Sequence, residues 1–282
     1  MLKNLKCRAV IMVIALSVAG LSSGCVIDGE GGFFTIFGGP KYEEKVFKSV
    51  PLVEGGRFSL NNINGTVTIE TWGRDEVEIE AVKKTRGSKS HLERVQIKID
   101  SGRNYVDVET VHERRRLRVS VTYFVRVPEG TELESIKSTN GSLHLMGPFE
   151  GVHAVTTNGG IQIDNAAGPI YLSSTNGTIK AFDLRGGIEA GTTNGSINLD
   201  VSSLTDPIEV RTTNGGIKLF LDADLDADLS ARTTNGRVYV DFPVTVDLSN
   251  KNRRRLEARM GDGGPNITLH TTNGSIRISH SN

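Results

Sequence analysis

Asp164, Phe182, Asp200, Phe220 and Asp241 fall at equivalent places in a repeated pattern, and carboxylates alternating with aromatic rings are side chains that bind and cleave sugar chains. Glycoside cleavage needs two carboxylates about 5–10 Å apart, and residues two strands apart in a stacked sheet lie about 9.6 Å apart. The spacing permits that chemistry without requiring it. The neighbouring row, Gln162, Lys180, Asn198, Lys218 and Tyr239, is polar and aromatic, so the two rows form a candidate ligand face. Other chemistry is thinner. Asp222, Asp224, Asp226 and Asp228 imitate the start of a calcium loop, but the glycine an EF-hand needs at its sixth position is Ala227 and the twelfth residue is Thr233 rather than glutamate. The same run fits a strand with Ala223, Leu225, Ala227 and Leu229 inward and the aspartates in water. The six histidines form no His-x-His or His-x-x-x-His pair, and no zinc site is expected.

What positions those rows is a phrase that returns seven times, Ser/Thr-Thr-Asn-Gly, at Asn140-Gly141, Asn158-Gly159, Asn176-Gly177, Asn194-Gly195, Asn214-Gly215, Asn235-Gly236 and Asn273-Gly274. The steps between successive asparagines are 18, 18, 18, 20, 21 and 38 residues, so one supersecondary unit is stacked on itself, with a long insertion before the last copy. Within a unit Ile161 and Ile163 share one face and Gln162 and Asp164 the other; after the turn at Gly168-Pro169, Ile170 and Leu172 repeat the alternation. Two short strands and two turns make each coil. The inward pairs recur as Leu143/Leu145, Ile179/Ala181, Ile197/Leu199, Ile217/Leu219, Val238/Val240 and Ile276/Ile278. The pattern predicts an all-β, single-stranded parallel β-solenoid with coils of about 18–21 residues and an N-terminal antiparallel β-hairpin region. Each Asn-Gly is read as a structural corner, where glycine supplies positive φ and the asparagines hydrogen-bond from coil to coil. An earlier corner at Asn64-Gly65 places the first coil well before the main repeat.

Adjacent threonines rule out a flat Thr-x-Thr ice-binding array, because neighbouring strand residues face opposite sides. Carboxylates on an uncovered face stay hydrated, whereas a hydrolase needs one in a partly buried site. The expectation is a protein that is not an enzyme, with no cofactor and no metal.

The chain has 33 basic and 33 acidic residues, and its first 24 residues carry three of the bases, Lys3, Lys6 and Arg8. They precede an apolar run at Ala9–Leu16, continued by Val18 and Ala19, which is shorter than the ~20 residues needed to span a bilayer. Residues 1–24 therefore read as a signal peptide ending in Leu21-Ser22-Ser23-Gly24-Cys25. This resembles a lipobox in which Cys25 becomes acylated, although Ser22 stands where an aliphatic residue is usual. The only other cysteine, Cys7, leaves with the signal. The mature chain then has a net charge of −3, which gives no electrostatic case for nucleic acid. Residues 25–41 are a glycine-rich tether and residues 42–135 an N-terminal β region with the first coil and antiparallel hairpins. Residues 136–282 are the Thr-Thr-Asn-Gly solenoid, with a hairpin insertion at 243–259 whose tip carries Arg253-Arg254-Arg255.

The repeated Thr-Thr-Asn-Gly-x-Ile-x-Ile, the opening Asn62-Ile63-Asn64-Gly65-Thr66-Val67-Thr68-Ile69-x-x-Trp72 and the segment Phe124-Val125-Arg126-Val127-Pro128-Glu129-Gly130-Thr131 together resemble the bacterial "putative adhesin" family of β-strand-repeat envelope proteins, a domain of unknown function. The resemblance covers about residues 42–282 and implies an envelope lipoprotein without defined catalytic residues. Function is therefore expected to be adhesion, scaffolding or envelope-stress support. Its partners are expected to be the membrane through Cys25, and envelope proteins or glycans, at the outer membrane facing the periplasm in a cell with two membranes. The alternative is a glycan-binding or glycan-cleaving β-helix that uses the Asp/Phe row.

Overall fold

The computed structural model describes residues 41–113, 118–222, 225–242, 245–246 and 252–281. The signal, the tether and Cys25 lie outside them, as do Arg114 to Arg116, Asp224 and most of the first half of the 243–259 hairpin. Apart from one helical turn at Ser90–Glu93, the regular structure is strand. No helix among the described residues is long and apolar enough to cross a membrane.

Each coil lays one strand on each of two parallel sheets, and the Asn-Gly corner joins them. In the coil of strands Ile188–Asn194 and Ile197–Ser203, for instance, the first pairs with Ile208–Asn214 and the second with Ile217–Leu221, both parallel and without slip. The alternation of β-branched and polar residues dictates this arrangement, because strands covered on one face bury every second side chain. Ile188, Ala190, Ile197, Leu199, Ile208, Val210, Ile217 and Leu219 are all buried, and the aliphatic column continues through every coil. The inward pairs read from the sequence are buried, except that Val238 and Val240 in the outermost C-terminal coil are half-buried.

The order of coils in space is not the order in sequence at either end. Strand Asn266–Asn273 pairs with Ile208–Asn214 on one side and with Ala227–Asn235 on the other. Strand Ile276–His280 likewise lies between Ile217–Leu221 and Val238–Val240. The C-terminal coil is thus the penultimate layer: the 38-residue step joins stacked neighbours across the expected insertion, and it is the 21-residue step from Asn214 to Asn235 that skips a layer. At the other end, Arg57–Asn64 sits between Tyr105–His112 and Glu132–Asn140. One expected hairpin is present there, Val95–Ser101 with Tyr105–His112, whereas Val119–Pro128 pairs antiparallel with Glu76–Thr85 across the intervening strands. Tyr105–His112 and Val119–Pro128 also stack in parallel as a further coil on the coil of Asn64, which alternation alone did not distinguish from a hairpin.

Open solenoid ends present unpaired strand edges and need covering. At the N-terminal end strand Tyr42–Pro51 pairs antiparallel with Glu76–Thr85, and Glu43, Glu44 and Lys45 form ion pairs with Lys84, Lys83 and Glu80. At the C-terminal end Arg255–Met260 covers Ala227–Asn235 in the same antiparallel sense.

Candidate functional site

The corner residues form a continuous row. The side-chain amide of Asn140 donates to Asn64, Asn158 to Asn140, Asn176 to Asn158, Asn194 to Asn176, Asn214 to Asn194, Asn273 to Asn214 and Asn235 to Asn273, at 2.7–2.9 Å. Each amide inside the row is both donor and acceptor, and the coil spacing of about 4.8 Å sets that repeat.

The glycines are there for a different reason from the one the sequence predicts. Of the corner glycines only Gly65 has positive φ, at 117°, and no corner asparagine does. The others are fixed by crowding instead. A Cβ on Gly195 would stand 2.0 Å from the carbonyl oxygen of Gly177, and one on Gly215 would stand 1.9 Å from that of Gly195. Stacking brings each corner backbone against the next, so the site excludes any side chain whatever its φ preference. The same carbonyls accept a hydroxyl from the first residue of the phrase. Thr192 donates to Gly177 at 3.0 Å, Thr212 to Gly195 at 2.9 Å and Thr271 to Gly215 at 2.8 Å. These threonines are buried while Thr193 and Thr213 are exposed, so the two threonines of each phrase have different roles. The alternation of buried and exposed places is legible in sequence; the carbonyl partner is not.

The N-terminal stack closes with a polar cluster in place of this motif. Asn62, in register with Ser138, donates to Val121 at 2.9 Å and Gly65 at 3.0 Å, and accepts from Thr110 at 3.1 Å. Thr110 Oγ1 lies 2.6 Å from the hydroxyl of Tyr123, whose ring is buried. Burial pushes that phenol up to about 12.

The Asp/Phe row forms on the sheet that contains Ile161 and Ile179. Asp164 is opposite Phe182, and Asp200 is opposite Phe220. The interposed C-terminal coil then places Ser279 beside Phe220, and its hydroxyl donates to Asp241 at 2.9 Å. Asp200 and Asp241 are consequently three strands apart, about 14 Å, which is beyond the two-coil spacing expected and beyond the separation of glycosidase carboxylates. Asp164 and Asp200 lie on strands two apart, but the register slips between Ala181 and Leu184, so Phe182 is opposite Asp164 and is not paired with Asp200. Asp164 and Asp241 are exposed and Phe182 is 38% exposed, while Asp200 accepts a hydrogen bond from Ser281 at 2.8 Å. In the next row Arg277 enters between Lys218 and Tyr239 and stacks on the Tyr239 ring with 5.5 Å to its centroid.

The acidic run at Asp222 is a strand only from Ala227. Ala227 and Leu229 are buried, Leu225 packs against the core, and Asp228 pairs with Arg259. No group of three or more His, Cys, Asp or Glu among the described residues could hold a metal ion.

Two open features depend on how neighbouring strands are laid side by side, which spacing in the sequence does not express. One is an open groove of about 1050 Å³ on the opposite sheet, lined by Glu132, Glu134, Glu150, Glu189, Asp206 and Glu209. The other, about 650 Å³, lies at the C-terminal end between Arg232 and the loop Asn252 to Arg255. Neither is lined by the Asp/Phe row.

Two sheets, a shared aliphatic column and stacked Asn-Gly corners define a parallel β-solenoid domain. The family model for Toastrack DUF4097 matches residues 136–279, half of the chain, and the protein belongs to that family. No curated protein matches the sequence. Among solved structures, a "putative cell adhesion protein" from Clostridium sporogenes is 14% identical, with 84% of this chain and 100% of that chain covered and a TM-score of 0.39. A "putative adhesin" from Bacteroides fragilis is 12% identical, with 84% and 97% covered and a TM-score of 0.36. A "putative lipid binding protein" from Parabacteroides distasonis is 9% identical, with 84% and 97% covered and a TM-score of 0.31.

Proposed function

We propose that this protein is a non-catalytic, lipid-anchored solenoid of the bacterial cell envelope that serves as an adhesive or scaffolding surface. The observation that carries the non-catalytic reading is where the repeated residues go. The asparagines bond to asparagines, the glycines make room for the next backbone and the buried threonines cap glycine carbonyls, so the repeated polar residues of the corner are spent on stacking. The remaining repeated carboxylates stand on an open sheet face. The signal-like start and Cys25 support export and anchoring. Replacing Cys25→Ser is expected to move the protein from the membrane pellet to the soluble fraction and to abolish palmitate labelling. Retention in the pellet with no label in the wild type would sink the anchor.

A second reading rests on Phe182, which is exposed opposite Asp164 and offers a ring on which a sugar can stack. Purified protein that turns over a polysaccharide, with turnover lost in Asp200→Asn while folding is kept, would replace the first reading with this one.

A further inference from the structure

Four guanidinium groups, those of Arg232, Arg253, Arg254 and Arg255, converge at the C-terminal end of the stack. Arg211, His270, Arg232 and Arg255 occupy one outward row on four adjacent strands, in unbroken register. Arg253 and Arg254 reach the same cleft from the loop that precedes Arg255. This loop is held in place by its backbone: Thr233 N–H donates to the carbonyl of Arg254 at 2.8 Å and Val238 N–H to that of Arg253 at 3.0 Å. Asn252 Oδ1 accepts the N–H groups of Arg254 and Arg255 at 2.8 and 2.9 Å. The arginine backbones are therefore fixed while their heads remain exposed.

Charge compensation is uneven there. Arg211 pairs with Glu209 and Arg255 with Glu257, but no carboxylate among the described residues is within ion-pair distance of Arg232, Arg253 or Arg254. Collecting like charges costs energy unless an anion shares the site. Planar guanidinium groups bind phosphate through paired N–H donors, and the flanking Thr234 and Asn252 add neutral polar groups. The cleft is open along the sheet, as a polymer requires.

We propose that this cleft binds the phosphate groups of an anionic phosphate polymer. The chain enters the solenoid at strand Tyr42–Pro51, on the N-terminal edge, and the arginine cleft is at the opposite end of the stack. Eight corner asparagines separate the two, a column of about 34 Å at the strand spacing. The choice of a polymer over the protein's own membrane rests on the anchored reading above, in which the anchored part of the chain joins the stack at the end opposite the cleft.

The test titrates the full chain, solubilised in detergent, with long-chain polyphosphate, with polygalacturonate and with phosphatidylglycerol vesicles at two salt concentrations. The expected result is salt-sensitive binding of polyphosphate that is tighter than binding of either other probe. Replacing Arg232→Gln together with Arg254→Gln should weaken it about tenfold or more, with the thermal midpoint unchanged, since both side chains are exposed. Equal binding of polygalacturonate would reduce the cleft to a non-selective positive patch, and preference for vesicles would make it a membrane contact. Either result overturns the proposal, as does unaltered affinity in the double variant. A particle mass that rises with protein concentration and falls in the variant would assign the cleft to the acidic groove of a second copy, and would overturn it too. Binding does not require Cys25, so a failed titration and a failed fractionation remain separate results.

Discussion

The side-chain amide of Asn273 donates to Asn214 at 2.8 Å across 59 residues of sequence, and Asn235 donates to Asn273 in turn. The last coil of the chain is therefore a wedge between two coils made earlier. Until it arrives, the coil of Ala227–Asn235 and Val238–Val240 has no parallel neighbour on either sheet.

That dependence is open to test by truncation. In a solenoid each coil is stabilised through its neighbours, so ending the chain after Gly264 should cost two coils, the deleted one and the coil of residues 227–240 that it holds. Limited proteolysis with mass spectrometry should find cuts throughout residues 225–260 and an intact body up to about Leu221. Protection of 225–260 in the truncated protein would contradict the wedge.

Gly195→Val should be among the most destabilising single changes, because its Cβ would meet the Gly177 carbonyl oxygen at 2.0 Å. Overpacking of backbone against backbone costs about 3 kcal/mol, which lowers the midpoint of a domain this size by roughly 6–12 °C. Gly191→Ala is the control. Its Cβ would meet only the Arg211 carbonyl oxygen at 3.9 Å, and alanine there is expected to be neutral or slightly stabilising. Equal effects in a thermal melt would remove crowding as the reason for the corner glycines.

Thr192→Val keeps the shape of the side chain and deletes the hydroxyl that reaches Gly177. A lost buried hydrogen bond of this kind should cost about 1–2 kcal/mol in chemical denaturation. Thr193→Val, one residue along and exposed, should stay within about 0.5 kcal/mol of wild type.

Tyr123 gives a pH dependence whose sign is fixed. Its phenol ionises near 10 in the unfolded chain and is held up to about 12 by burial in the folded one, so below pH 10 both states are neutral and its contribution is complete. Between pH 10 and 12 the unfolded state loses its proton first. Stability should then fall by about 1.4 kcal/mol per pH unit from this group. Tyr123→Phe removes that slope, so the stability difference between wild type and variant should shrink across pH 10 to 12 in urea titrations. A constant difference would show that the phenol does not titrate with folding.

The sequence by itself determined the coil, the two-sheet alternation, the asparagine row and the first corner at Asn64, because each depends on residues within about twenty positions and on the fixed parity of a strand. It also identified the outward rows residue by residue. Coil order was decided only by tertiary structure. All corner phrases are nearly alike, so the Asn273 phrase fits Asn214 and Asn235 equally well as a neighbour, and local pattern does not encode which layer is filled last. The same limit explains the glycines: a corner dipeptide implies positive φ from turn chemistry, whereas the 2 Å approach of consecutive corner backbones exists only once coils stack. It explains the spread of Asp200 and Asp241, separated by a strand from the far end of the chain. The arginine cleft likewise joins Arg232 to Arg253 and Arg254 through an antiparallel strand laid across the outermost coil, a contact that no spacing in the sequence expresses.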